Sequence, residues 1–244
     1  MTDPRFIDTP DVLDRRVLFA LEVIDPVTQA FVSNGITVTA VNLQAKPIIS
    51  RSGRFVWLVD QDAWPGDVSV DPGRLPYAPE TQAGPPRPPD ILAASATQRL
   101  MRIVLRPTSA YPFDTGPTVV RGTLKERLDY PAPVVSDAIV QLAWHDALAG
   151  TWSPGPPLPG EAWPRTGANG DFAALLQLRA QPPADPDLDR GRLKARVQIT
   201  RFGVTRVTPD DYRFLTDAAD AGRVPEGRVL PRDVTLGWNE LTPI

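Results

Sequence analysis

The chain contains no cysteine and a single histidine, His145. The first lack removes disulfides, thiolate nucleophiles and cysteine metal sites together, and it fits a reducing compartment. The second leaves any histidine-based triad or zinc site resting on one residue. His145 follows Trp144 at the end of an apolar strand pattern, with no Gly-x-Ser-x-Gly and no second ligand spaced around it. It therefore reads as a strand-edge histidine rather than a catalytic one. No stretch approaches 18 uninterrupted apolar residues, so no membrane span is expected. The segment Met1–Asp8 lacks a basic region followed by an apolar run. No secretory signal is visible, and the expectation is synthesis in the cytoplasm with incorporation into a particle left open. Charge of one sign is also missing: 26 basic and 29 acidic residues are mixed along the chain, unlike the footprint of a nucleic-acid binder.

What the chain has in excess is proline, 29 against 17 glycines in 244 residues, more than twice the usual share of about 5%. Proline is excluded from helix interiors and central strands. Short elements joined by stiff, extended loops are therefore expected, and an all-β fold. Period-two alternation marks strands at Val17–Ile24, Ile36–Val41, Arg54–Val59, Gly66–Val70, Leu100–Arg106, Thr118–Lys125, Ala138–Trp144, Asp171–Leu178 and Leu193–Thr200. Ile36, Val38 and Ala40 should face one core. Ala138, Val140, Leu142 and Trp144 should face another, joined by Leu193, Ala195, Val197 and Ile199. The proline-rich stretch 71–90 reads as a long surface loop, and 91–96 as one helical turn.

The segment Ser52-Gly-Arg-Phe-Val-Trp57 returns as Asn169-Gly-Asp-Phe-Ala-Ala174, and the strands ahead of each repeat at a constant offset of 102 (Val17 to Val119, Ile36 to Ala138). Two copies of one β-domain follow from this. The expected division is a lead at 1–15, a first sandwich at 16–107, a semi-rigid proline-bounded boundary, a second sandwich at 117–205, and a tail at 206–244. Within the tail, Thr208-Pro-Asp-Asp has the form of a helix start, with Thr208 as cap, Pro209 at the first position and acids in the first turn, running to Gly222. The remainder, 223–244, reads as an extended arm. Val234, Leu236 and Trp238 lie on one face of a short strand that could complete a neighbour's sheet edge or fold back on its own.

In the second unit Gly122, Pro133, Ser136-Asp137-Ala138, Val140 and Thr166-Gly-Ala-Asn-Gly170-Asp-Phe172 resemble the pattern of the carboxypeptidase regulatory-like (transthyretin-like) β-sandwich family. Ser33-Asn-Gly35, Val38 and Ser50-Arg-Ser-Gly53-Arg-Phe55 do so in the first, with Ala20 in place of the first-strand glycine. The resemblance implies two Ig-like/transthyretin-like Greek-key sandwiches and a non-catalytic role in adhesion, scaffolding or folding of a neighbour. Such modules occur in phage tails and contractile injection systems.

No constellation of residues argues for an enzyme, and no cofactor or metal is expected. Asp185-Pro-Asp187-Leu-Asp189-Arg-Gly191 alternates acids as calcium loops do, but Arg190 and Arg196 stand where an EF-hand needs glycine and glutamate. Asp210 and Asp211 are accounted for by a helix start, and Glu22, Asp60, Asp62 and Asp67 receive no role. Among six tryptophans, Trp57 and Trp144 fall in or beside strands and are expected in cores, whereas Trp64, Trp152, Trp163 and Trp238 lie near loops or in the tail. Each loop tryptophan can cover the rim of its own sandwich, anchor a protein interface or stack on a sugar. The expected partners are protein subunits of an assembly, copies of this chain among them. A carbohydrate- or surface-binding module is the alternative.

Overall fold

A computed structural model describes residues 17–58, 63–90, 93–114, 116–129, 131–146, 149–155, 163–176, 191–215 and 221–244. The first half holds β1 (Val17–Ile24), β2 (Thr37–Ala40), β3 (Ile48–Ile49), β4 (Phe55–Leu58), β5 (Val68–Asp71), β6 (Tyr77–Ala78), β7 (Glu80–Gln82), β8 (Leu100–Val104) and β9 (Arg106–Pro107). The second half holds β10 (Thr118–Lys125), β11 (Ile139–Asp146), β12 (Thr151–Pro154), β13 (Asp171–Leu176), β14 (Arg192–Arg201), β15 (Val204–Val207), β16 (Arg223–Pro225), β17 (Val234–Gly237) and β18 (Thr242–Pro243). The chain is all-β, and no α-helix occurs among the described residues.

Alternation decides which side chains meet. The sheet β3-β4-β1-β8 turns Phe19, Leu21, Val23, Phe55, Trp57 and Ile103 inward, onto Val38, Ala40, Val68 and Val70 of the sheet β2-β5-β7. The sheet β13-β10-β17 turns Val120, Leu124, Phe172, Ala174 and Leu176 inward, onto Val140, Leu142, Leu193, Ala195, Val197 and Ile199 of the sheet β12-β11-β14-β15-β18. Each pair of sheets encloses its own core, as in a sandwich.

The repeated turn does the same work twice. Gly53 and Gly170 take φ of +80° and +72°, and the strands they launch, β4 and β13, run antiparallel to β1 and β10. In each half the first strand also has a parallel neighbour, β8 beside β1 and β17 beside β10. The tail strand β17 therefore occupies in the second half the place that β8 holds in the first.

Three sequence expectations are corrected. Stretch 71–90 is not loop throughout, because β6 and β7 lie within it. The described part of the expected tail helix, 208–215, is turn and irregular chain. Thr208 is fully buried: its N–H donates to the Val197 carbonyl (2.9 Å) and its Oγ1 accepts from Val197 N–H (3.1 Å). The hydroxyl that would have capped a helix satisfies the edge of β14 instead. Third, the tail is not an extended arm with one short strand: it holds β16, β17 and β18, which pair with β14, β10 and β15, so of the two placements left open it takes the one on its own domain.

The boundary segment is pinned at many points. Ser109 Oγ donates to Asp171 Oδ2 (2.9 Å) and Gly116 N–H to Gly227 O (2.9 Å). Tyr111 Oη donates to Asp25 Oδ2 (2.7 Å), a buried carboxylate that also accepts from Val27 N–H and Thr28 Oγ1. Burial first, and then the hydrogen bond to Asp25 and its charge, drive the Tyr111 phenol upward, and burial with the Asp25 charge pushes Tyr77 beside it up to about 12. Phe113, Val27 and Val229 close over Val119, Ala173 and Leu175, an apolar contact that joins the two halves.

Candidate interaction surfaces

Val234, Leu236 and Trp238 are not offered to a neighbour's sheet. Gly122 to Lys125 pair in parallel with Val234 to Gly237, which sends Val234 and Leu236 into the second core. Trp238, 8% exposed, lies under the Arg206 guanidinium (4.9 Å to the ring centroid), and Arg206 Nη1 donates to the Trp238 carbonyl (2.9 Å). The approach of β17 is close because position 122 is glycine. A Cβ there would stand on the Val234 carbonyl oxygen, 2.7 Å from Val234 Cγ2 and 3.0 Å from Phe172 Cζ. The first-strand glycine of the second unit, which the first unit replaces by Ala20, is thus the site where the tail strand docks in cis.

Trp152 is half-buried on the edge strand β12, and a cationic shell surrounds it. His145, its cross-strand partner, meets it edge-on (5.2 Å between centroids). From β14, Arg196 lies 4.4 Å and Lys194 5.6 Å from the ring centroid, within cation–π range. Burial draws the Arg196 guanidinium below its ordinary value, and its Nε has no hydrogen-bond partner. Trp163 is half-buried at the start of a segment that lines the other part of the β11 edge, where Pro164 O accepts from Val140 N–H (2.8 Å). Trp57 and Trp64 are core residues, their indole N–H groups donating to Ala45 O (3.0 Å) and Pro85 O (2.7 Å). Trp144 packs against the second core.

The acidic candidates separate. Residues 185–190 of the calcium-like run, with Asp60 and Asp62, lie outside the described residues. No group of three or more potential metal ligands occurs among the described residues. The acid that matters structurally is Glu22, 2% exposed in the middle of β1. Arg54 Nε and Nη2 reach its Oε1 (2.8 and 2.7 Å), and Arg102 Nε and Nη2 reach its Oε2 (3.1 and 2.8 Å). Burial alone would push this carboxyl up. The hydrogen bonds and charges of Arg102 and Arg54 together outweigh it and hold the group below the usual carboxylate range. One side chain thereby ties β1 to β8 and to the turn before β4. A lone glutamate inside Val17-Leu-Phe-Ala-Leu-Glu-Val-Ile24 was the available signal, but its partners lie 32 and 80 residues away.

Two further surfaces went unread in the sequence. Phe202 is 91% exposed at the tip of the β14–β15 hairpin. A groove of about 280 Å³ in the first sandwich is lined by Leu18, Asn42, Leu43, Gln44, Ala45, Trp57, Leu58 and Ala63, a mixed polar and apolar surface.

No protein family matches this chain, and no curated protein does. Among solved structures, it is similar to the Bacillus anthracis TIE protein (10% identity, 91% of this chain and 34% of that one, TM-score 0.24). It is also similar to a streptococcal ancillary pilin (10% identity, 93% of this chain and 62% of that one, TM-score 0.27). A third is a double mutant of the shaft pilin SpaA from Lactobacillus rhamnosus GG (11% identity, 94% of this chain and 98% of that one, TM-score 0.20). The chain spans about a third of the length of the first and under two thirds of the second.

Proposed function

We propose that this protein is a non-enzymatic structural component of a larger protein assembly, of the kind that phage tails and contractile injection particles use. The observation that carries the reading is the pinned junction between the two sandwiches. Tyr111 bonds the boundary segment to Asp25 of the first half, Ser109 and Gly116 bond it to Asp171 and Gly227 of the second, and Phe113 and Val27 pack with Val229 over Val119, Ala173 and Leu175, which favours a fixed spacing between the halves. Ordinary interdomain junctions leave relative motion as the default, and a fixed spacing is of use to a part that must hold its neighbours at set positions. The motif resemblance to carboxypeptidase regulatory-like modules points the same way. Light scattering on the native particle from a gentle lysate tests it. A complex much larger than 26.6 kDa is expected, and a monomer in the lysate refutes the proposal.

A second reading, a surface-binding module, rests on Trp152. Its two cations, Arg196 and Lys194, suit an acidic glycan better than a neutral one. Quenching of tryptophan fluorescence by acidic oligosaccharides, lost in Trp152→Ala, is the outcome that would favour it.

A further inference from the structure

The chain has four asparagines, and two of them precede glycine: Asn34-Gly35 and Asn169-Gly170. This dipeptide carries its own chemistry. The backbone nitrogen of the following residue can attack the asparagine side-chain carbonyl, and glycine has no side chain to obstruct the approach. After Asn42 and Asn239 stand Leu43 and Glu240, whose side chains do obstruct it. In a folded chain the reaction has two further conditions. The glycine N–H has to be free, and the backbone joining the pair has to turn.

The two pairs differ on both conditions. At the second, Gly170 N–H donates to Gly167 O (2.9 Å), and Gly170 O accepts from Leu124 N–H (2.8 Å). Gly170 is buried against β10, where a Cβ would lie 2.5 Å from Leu124 O and 3.0 Å from Val134 Cβ. Turning the Asn169–Gly170 peptide would break both hydrogen bonds and lift the head of β13 from β10. At the first, Asn34 and Gly35 are both exposed, in a bend ahead of β2. Among the described residues neither the Asn34 side chain nor the Gly35 N–H has a hydrogen-bond partner. A Cβ on Gly35 would meet only the Leu75 side chain, at an ordinary contact distance of 3.5 Å. This bend can turn without taking a strand apart.

We infer that Asn34 is a site of spontaneous covalent modification, deamidation through a cyclic imide, and that the fold protects Asn169 from the same reaction. Gly35 N bonds to Asn34 Cγ, and the side-chain nitrogen leaves as ammonia, carrying the Gly35 N–H proton. Water then adds to one of the two imide carbonyl carbons, and the bond from that carbon to the Gly35 nitrogen breaks. Breakage at Cγ gives aspartate. Breakage at the backbone carbon gives isoaspartate, whose main chain is longer by one carbon. Water is the only co-reactant. Either product places a negative charge on the groove of about 360 Å³ that Asn34 lines together with Phe31, Tyr77 and Tyr111, beside the junction. Ammonia is lost from the chain, so the converted fraction records its age. The inference stands apart from the assembly reading.

Timed incubation of the purified full chain at mildly alkaline pH, followed by tryptic mapping against a zero-time sample, tests it. The sites fall in separate peptides, 17–51 and 166–179, since Lys46 is followed by proline. The amide-to-acid mass gain should build up in 17–51 about 5- to 30-fold faster than in 166–179, the factor by which two intramolecular hydrogen bonds hold the second site closed. In concentrated urea the gap should disappear, because both pairs then lie in an open chain. Asn34→Ser, a change at an exposed bend, should abolish the gain in 17–51 and leave 166–179 as it was. Equal rates in the folded chain, faster conversion at Asn169, a gap that survives urea, or a gain in 17–51 that persists in Asn34→Ser overturns the inference.

Discussion

The Glu22 bridge gives a prediction that depends on which partner is buried. Glu22 is 2% exposed, whereas Arg54 and Arg102 are 41% and 59% exposed. Replacing Glu22 by Gln leaves two guanidinium groups that can turn to water, and exposed pairs are worth at most about 1 kcal/mol each. The expected loss is about 1–2 kcal/mol. Replacing both arginines by Ala leaves a carboxylate in the sheet with no cation, and an uncompensated buried charge costs about 3–5 kcal/mol. The double arginine variant should therefore be the less stable, and by more than the two single arginine variants add up to, since either guanidinium alone still compensates the charge. The pH dependence follows with its sign. In the wild type the folded carboxyl is held below its unfolded value of about 4.3. The stability it contributes is fully present above that value and is lost as pH falls through the folded pKa. In the double variant burial is unopposed and raises the folded pKa, so that chain gains relative to wild type as pH falls. The gap should close from both sides between pH 7 and about pH 3. Urea unfolding at these pH values, followed by tryptophan fluorescence, measures it. Trp57 stacks on Phe19 (5.3 Å) in the affected core, and the transition of the second core serves as reference. A gap that stays constant with pH, or a Glu22→Gln chain weaker than the double arginine variant, would refute the reasoning.

Removing 234–244 takes Val234, Leu236, Trp238 and Leu241 from the second core, at about 1.5–3 kcal/mol each. The loss is comparable to the whole stability of a domain, so proteolysis of the truncated chain should digest the second sandwich and spare the first. Gly122→Ala forces β17 away from β10 and should cost about 1–3 kcal/mol by overpacking. Faster hydrogen exchange of the Leu124 and Leu236 amides in that variant is the local readout. Tyr111→Phe deletes one donor to Asp25 and should cost about 1–2 kcal/mol. The sandwiches should stay folded, while cleavage within 107–117 by a nonspecific protease becomes faster.

The strands were legible where alternation ran long. Leu193, Ala195, Val197 and Ile199 are all buried because β14 faces a complete opposing sheet, and Ala138, Val140 and Leu142 are buried for the same reason. The repeat was legible because Gly53 and Gly170 launch equivalent strands. What escaped was set by distant or very short contacts. β6 and β7 have two and three residues between prolines, too few for a period to register. Thr208 carries the chemistry of a helix cap, and which backbone it satisfies is decided by β14. The β14–β15 hairpin was missed because Phe-Gly is not a hairpin dipeptide. The tail had a signal that went unused. If Leu100–Arg106 closes the first copy, the second copy needs a closing strand too, and the glycine at 122 leaves room for it.

The parallel placement of β8 against β1 and of β17 against β10 bears on how the chain carries tension. A pull along the polypeptide drags the entering strand of each pair backward and the leaving strand forward, so the two slide along one another. Cross-strand hydrogen bonds then share the load at once, whereas a hairpin drawn apart from its open end surrenders them one after another. Glu22 adds an ionic tether across the first of these sliding seams, near its centre. Each sandwich thus has its firmest resistance to stretching where the chain enters and leaves it.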